Sequence, residues 1–167
     1  MDHKKTSKLN PGTLGEDFVA TWLEEQGWEI LHQRWRCRWG ELDIIARGTE
    51  PHSQSGCSLP DLILIFVEVK TRSRGNWDAN GLLAITPQKQ TKLLQAAQVF
   101  LSQYSEYSHY PCRFDVALVQ YYPKAKTNPV PNVALGISPS ISSEQLVLQD
   151  YIPSAFDASG ISQGSYN

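Results

Sequence analysis

Leu62-Ile63-Leu64-Ile65-Phe66-Val67-Glu68-Val69-Lys70 contains the longest uninterrupted apolar run in the chain, Leu62 to Val67, and closes on two charged side chains. On a strand, alternate residues share a face, so Glu68 and Lys70 project beside Leu62, Leu64 and Phe66. Apolar residues fall on both parities, which predicts a central strand covered on both sides. Ionic groups at the end of such a strand are costly unless they are paired or bound to a metal.

Upstream of this stretch, Trp28 to Cys37 and Leu42 to Arg47 read as two more strands, and Gly48 to Asp61 as a long hairpin loop rich in turn residues. Thr13 to Gln26 reads as a helix, with Leu14, Phe18, Val19, Trp22 and Leu23 in one apolar stripe and Gly27 as its stop. Downstream, a loop holding Gly75, Asn80 and Gly81 leads to Thr86-Pro87, a cap and first-turn proline that open a second helix. Leu93, Leu94, Ala97, Phe100 and Leu101 form its buried stripe. Arg113 to Tyr122 is a fourth strand, and strand, helix and strand together predict a right-handed parallel crossover. Leu146 to Ile152 adds an edge strand. The expected fold is α/β: an αβββαβ core with a mixed central sheet flanked by helices.

The chain has 167 residues, 41% of them hydrophobic and 19% charged, which suits one soluble domain. We expect a flexible basic N-terminus over 1–11, a single domain over 12–156 with a Pro-rich insertion at 123–143, and a disordered tail over 157–167. No apolar run approaches the ~20 residues of a membrane span, and the basic N-terminus is not followed by a signal-peptide core. Cys37, Cys57 and Cys112 are odd in number, scattered and lack a C-x-x-C pair, so they read as reduced thiols of a cytoplasmic protein. The four histidines are too scattered for a metal site. Net charge is −2, but Arg34, Arg36, Arg38, Arg47, Lys70, Arg72, Arg74, Lys89 and Lys92 fall in one stretch. They make either a solvated surface or a face for phosphates.

Asp43, in Gly40-Glu41-Leu42-Asp43-Ile44-Ile45, completes the chemistry. If its strand pairs antiparallel with 62–70, Asp43 approaches Glu68. Two carboxylates can hold Mg²⁺, which keeps several waters and prefers oxygen ligands, and the Val69 carbonyl is a third candidate ligand. Lys70 would orient the attacking water or steady charge growing on phosphorus. Position at the end of a buried strand carries more weight than the E-x-K tripeptide, which arises readily by chance. A structural ion pair between Glu68 and Lys70, with Asp43 in a turn, explains the same residues without catalysis.

Several ordered motifs together carry a family resemblance: Gly15-Glu16, Arg34 and Arg36, Gly40-Glu41-Leu42-Asp43, Phe66-Val67-Glu68-Val69-Lys70-Thr71-Arg72, Thr86-Pro87-Gln88-Lys89-Gln90 and Arg113-Phe114-Asp115-Val116. Over about residues 12–119, and again at Tyr151-Ile152 and Ala155-Phe156, the chain resembles the YraN-type family of bacterial predicted endonucleases. That family is similar to archaeal Holliday-junction resolvases and has the restriction-endonuclease-like PD-(D/E)xK fold. The resemblance implies Asp43, Glu68 and Lys70 as the catalytic set, with Glu16 as an accessory acid. It further implies an Mg²⁺-dependent (Mn²⁺ substituting) endonuclease on DNA, including branched or repair intermediates, and by analogy a homodimer. The loop 48–61 and the segment 123–143 depart from the family pattern.

The remaining residues divide between functional and structural readings. Thr13-Leu14-Gly15-Glu16 fits a capping box, which competes with Glu16 as a helix-borne acid. Lys89, near a helix start where cations are disfavoured, either meets phosphate or supports the metal, or is a snorkelling surface lysine. Arg34, Arg36, Arg72 and Arg74 are the other candidate nucleic-acid contacts. Trp35, Trp39 and Trp77 either stack on bases or belong to the core. Asp115 is expected to pair with a basic neighbour. The rival function is a nucleic-acid-binding or scaffolding protein that retains the fold but hydrolyses nothing; an RNA substrate is a third option.

Overall fold

A computed structural model describes residues 10–49, 62–73, 85–123 and 145–157. In chain order the elements are α1 (Pro11–Glu25), β1 (Glu29–Cys37), β2 (Gly40–Thr49), β3 (Leu62–Arg72), α2 (Pro87–Gln103), a 3-10 turn (Ser105–Tyr107), β4 (Cys112–Tyr122) and β5 (Gln145–Phe156). The expected α/β architecture is present, with the edge strand included. Most of the 48–61 loop, the insertion beyond Pro123, the tail from 158, Arg74, Trp77, Cys57 and the N-terminus to residue 9 lie outside the described residues.

One five-stranded sheet runs in the order β1-β2-β3-β4-β5. β1, β2 and β3 form an antiparallel meander, β3 and β4 are parallel, and β5 returns antiparallel. β3 is therefore central, and Ile63 to Val69 are all buried, which is why its apolar residues occupy both parities. Ile63, Ile65, Val67 and Val69 pack with Phe18, Val19 and Leu23 of α1. Leu64 and Phe66 pack with Leu93, Ala97 and Phe100 of α2. Phe66 lies edge-on to Phe100 at 6.0 Å and stacks on Phe114 at 5.1 Å.

α1 begins earlier than the T-x-x-E pattern suggests. Asn10 is the cap, its Oδ1 accepting the Gly12 amide at 3.1 Å, and Pro11 supplies the first turn. Glu16 thus lies in the second turn, and the capping-box reading of Thr13 and Glu16 falls away. The helix ends as expected: Gly27, at φ 88°, donates to the Glu24 carbonyl, and Trp28 donates to Leu23, a left-handed stop that glycine adopts without strain. α2 opens at Thr86, whose Oγ1 accepts the Lys89 amide at 3.3 Å.

β5 is longer than expected because Pro153 is tolerated on an edge strand, where the missing N–H disturbs no ladder. Asp115, fully buried on β4, pins it. Its carboxylate accepts from Arg113 Nε at 2.8 Å and Nη2 at 2.9 Å, from the Tyr151 hydroxyl at 2.7 Å and from the Ser154 amide at 3.0 Å. Asp115 is thus a satisfied structural anion, paired as the sequence reading expected.

α1 crosses β3 at Gly15, which has no side chain of its own and packs directly on that of Thr71. A Cβ on Gly15 would stand 1.9 Å from the Thr71 hydroxyl oxygen and 3.1 Å from its Cβ. Gly15→Ala is expected to destabilise by about 1–3 kcal/mol, despite the better helix propensity of alanine, because the helix must move off the sheet. Urea unfolding measures this, and the additional change Thr71→Ala should recover part of the loss. A Gly15→Ala variant of unchanged stability would contradict the close approach.

Candidate active site

The β2–β3 register ends at Ile44↔Val67, and one step further the strands bring Asp43 level with Glu68. There the ladder gives way to side-chain contacts. Asp43 Oδ2 accepts the Val69 amide at 2.8 Å, so the carboxylate takes the place of a backbone acceptor beside the E-x-K segment. Glu68 is buried, with its side chain 3% exposed, and two ammonium groups meet one of its oxygens. Lys70 Nζ is 2.5 Å and Lys89 Nζ 3.2 Å from Oε1. Glu68 Oε2 is buried with no hydrogen-bond partner.

Lys89 therefore does not lie along the surface: α2 aims it at Glu68. The charge on Glu68 explains why a lysine sits in a first helical turn, where the dipole disfavours it. Glu16 comes from the other helix. Its Oε2 meets Arg34 Nη1 at 3.0 Å, and the same nitrogen reaches Asp17 Oδ1 at 2.9 Å. Arg34 achieves this from a left-handed backbone, φ 52°, which is rare for a non-glycine residue. The flanking pairs Gln33↔Ile44 and Trp35↔Leu42 put Arg34 level with Asp43. The strained φ coincides with a guanidinium that joins α1's carboxylates instead of pairing across the ladder.

The charges are unevenly shared. Arg34 serves Glu16 and Asp17, and both lysines serve Glu68, while Asp43 has a backbone amide for a partner. Burial, reinforced by the negative charges of Glu68 and Glu16, pushes the Asp43 carboxyl up to about 7; the Val69 amide and Lys89 only partly oppose this. No three His, Cys, Asp or Glu side chains among the described residues form a ready-made ligand set. Two carboxylates with an open oxygen nevertheless suit a cation that retains waters.

The other expected contacts are more dispersed. Arg36 pairs with Glu41 at 3.1 Å and its side chain is 75% exposed. Arg72 is exposed at the end of β3, and the Gln120 amide donates to its carbonyl at 3.0 Å. Trp35 belongs to the core, edge-on to Phe100 at 5.4 Å. Asp17 was not singled out from sequence; its place one residue after Glu16 was the available signal. Cys37 and Cys112 are free thiols.

The sequence profile of the Uncharacterised protein family UPF0102 matches residues 15–119, a span holding every residue of this charge cluster. The chain belongs to the UPF0102 family. This is the YraN-type family whose motifs the sequence displays. A UPF0102 protein of Trichodesmium erythraeum is 47% identical over 163 residues, covering 90% of this chain and 91% of the relative. UPF0102 protein alr1796 of Nostoc sp. is 47% identical over 151 residues, covering 90% and 96%. UPF0102 protein tll1737 of Thermosynechococcus vestitus is 51% identical over 110 residues, covering 66% and 80%. Among the described residues, no helix of this UPF0102 chain is long and apolar enough to cross a membrane.

The Asp43 environment has a consequence for stability. Its folded pKa, about 7, lies above the ~3.9 of an unfolded aspartate, so its contribution is fully present below pH ~4 and is lost as pH rises through about 7. Without divalent metal, the wild type should lose on the order of 1–3 kcal/mol more stability than Asp43→Asn between pH 4 and 8. Urea unfolding in chelator across that range measures the difference. Parallel pH profiles would contradict it.

Proposed function

We propose that this UPF0102 protein is a divalent-metal-dependent endonuclease acting on DNA. The observation that carries the reading is the open, buried Oε2 of Glu68 beside a carboxyl group that is reluctant to ionise. A structural ion pair would use both carboxylate oxygens or leave the spare one in water. Here two lysines share Oε1, and Asp43 lies near enough to Glu68 for its charge to raise the Asp43 carboxyl, an arrangement that a divalent cation would complete.

Asp43 and Glu68 would hold the ion. Val69 donates its amide towards Asp43, and the N–H and C=O of one strand residue face the same neighbour, so its carbonyl is turned towards that side too. When bound, Mg²⁺ or Mn²⁺ supplies an activated water and a counter-charge for the phosphate. Lys70, anchored on Glu68, orients the water and steadies charge developing on phosphorus. Lys89 fixes Glu68 from α2 and lies close to where a phosphate would enter. Glu16, held by Arg34, is the accessory acid. Arg36, Arg72 and Arg74 are assigned to the DNA backbone, and a homodimer would allow two strands to be cut.

A resident metal site should stabilise the fold by mass action. At tenfold excess over Kd, Mg²⁺ or Mn²⁺ is expected to raise Tm by about 3–6 °C in the wild type and to leave Asp43→Asn unmoved. A wild type indifferent to millimolar metal would argue for binding without hydrolysis.

Cleavage is the decisive measurement. Linear, nicked, flapped and four-way DNA are incubated with Mg²⁺ and the products resolved by strand. The wild type should cut, whereas Asp43→Asn and Lys70→Ala should be at least about 10²-fold slower. Equal activity in the variants would assign the cutting to a contaminant and leave the rival reading, a binding protein that keeps the fold.

A further inference from the structure

The hairpin joining β1 and β2 ends in a two-residue tip, Arg38-Trp39, between the paired Cys37 and Gly40. Gly40 adopts φ 137°, a region glycine favours, and the Trp39 amide donates to Cys37 Sγ at 3.4 Å. β2 runs antiparallel to β3, so this tip lies at the sheet end that carries Asp43 and Glu68. Asp43 follows Trp39 by four residue steps, about 13 Å of strand at ~3.3 Å per residue. That is about four base steps at ~3.4 Å each.

Trp39 differs from the other tryptophans of the described residues. Trp22 packs on Tyr151, Trp35 on Phe100, and Trp28 under the Arg113 guanidinium. Trp39 is one of only two exposed large hydrophobic side chains in the described residues, the other being Leu62 at the opposite end of β3. It is therefore a lone ring and not part of an apolar patch, and a protein partner would want several such side chains together. Its neighbours are cationic. The Arg38 guanidinium lies over the indole, 5.0 Å from the centroid. Arg36, its side chain 75% exposed, pairs with Glu41, a contact that water and salt weaken.

An exposed indole flanked by arginines suits one ligand chemistry. A nucleobase offers a π-face of similar size whatever its identity, and its phosphates attract the guanidinium groups. Paired bases inside a duplex present only edges, so the ring can be used only where a base is unpaired. The geometry points to the β1–β2 hairpin tip as a stacking platform for an unpaired DNA base lying a few nucleotides from the phosphate at Asp43 and Glu68. Resting on the nuclease reading above, it assigns the substrate class: DNA in which duplex adjoins single strand. Trp39 supplies the stack, and Arg36 and Arg38 hold the flanking phosphates.

Binding, measured apart from cleavage, tests this. In an Asp43→Asn background without divalent metal, fluorescence anisotropy compares a forked duplex with a blunt duplex of equal length at fixed salt. Adding Trp39→Ala should weaken fork binding about tenfold and blunt-duplex binding less than twofold, while Trp39→Phe should retain most of the fork affinity. Unchanged Tm confirms that the exposed substitution leaves the fold intact. Equal fork affinity with and without Trp39, equal losses on both DNAs, or no measurable DNA binding would each overturn the inference. So would self-association that Trp39→Ala abolishes, which would give the tip to a second copy of the chain. Fork preference without cleavage by the Asp43 protein would instead refute only the hydrolytic reading.

Discussion

A carboxylate on a buried central strand has to be compensated, and the surroundings of Glu68 follow from that requirement. Its strand is covered by α1 on one face and α2 on the other, so water cannot solvate both of its oxygens. Lys70 reaches it from the same strand and Lys89 from α2. Both converge on one oxygen, and the other remains buried and open. Asp43, brought level by the β2–β3 register, then meets a negative neighbour without a cation of its own. Two neighbouring carboxyl groups whose cations are gathered on one oxygen of Glu68 are the basis of the functional reading.

Geometry at the edges of the sheet tunes this centre. Arg34 sits level with Asp43 on β1, yet its side chain serves Glu16 and Asp17 on α1. A left-handed non-glycine residue costs of order 1 kcal/mol or more and persists where its surroundings over-determine it. The gain here is two carboxylate contacts and a fixed Glu16. Gly15 matters for the same helix, since its missing side chain lets α1 reach Thr71 immediately beyond Lys70. On the far side of β3, the Tyr151 hydroxyl and the Ser154 amide of β5 both donate to Asp115 on β4, whose other partner is Arg113 of its own strand, so β5 is held against β4.

Much of this was legible in the chain. The run Leu62 to Val67 announced a central strand, Thr86-Pro87 a helix start, and Gly27 a helix stop, because each rests on local sterics or periodicity. The E-x-K spacing put Glu68 and Lys70 on one face, which needs only the period of a strand. The start of α1 misled: Thr13 and Glu16 fit a cap, but Asn10-Pro11 provides a stronger one three residues earlier in the chain, with a side-chain acceptor and a preset φ. The edge strand expected over Leu146 to Ile152 runs on through Pro153 to Phe156, because an edge position leaves the missing N–H without consequence.

What the sequence by itself determined is therefore the set of elements, their order, and the identity of the acids and lysine at the strand ends, since propensity and period act between near neighbours. Tertiary structure alone decided how the charges are divided. That Lys89 turns to Glu68, that Arg34 leaves Asp43 for Glu16, and that Trp39 stays exposed while Trp35 is packed all depend on contacts between residues far apart in the chain. Coulombic and packing energies depend on distance in space, and no local pattern encodes those distances.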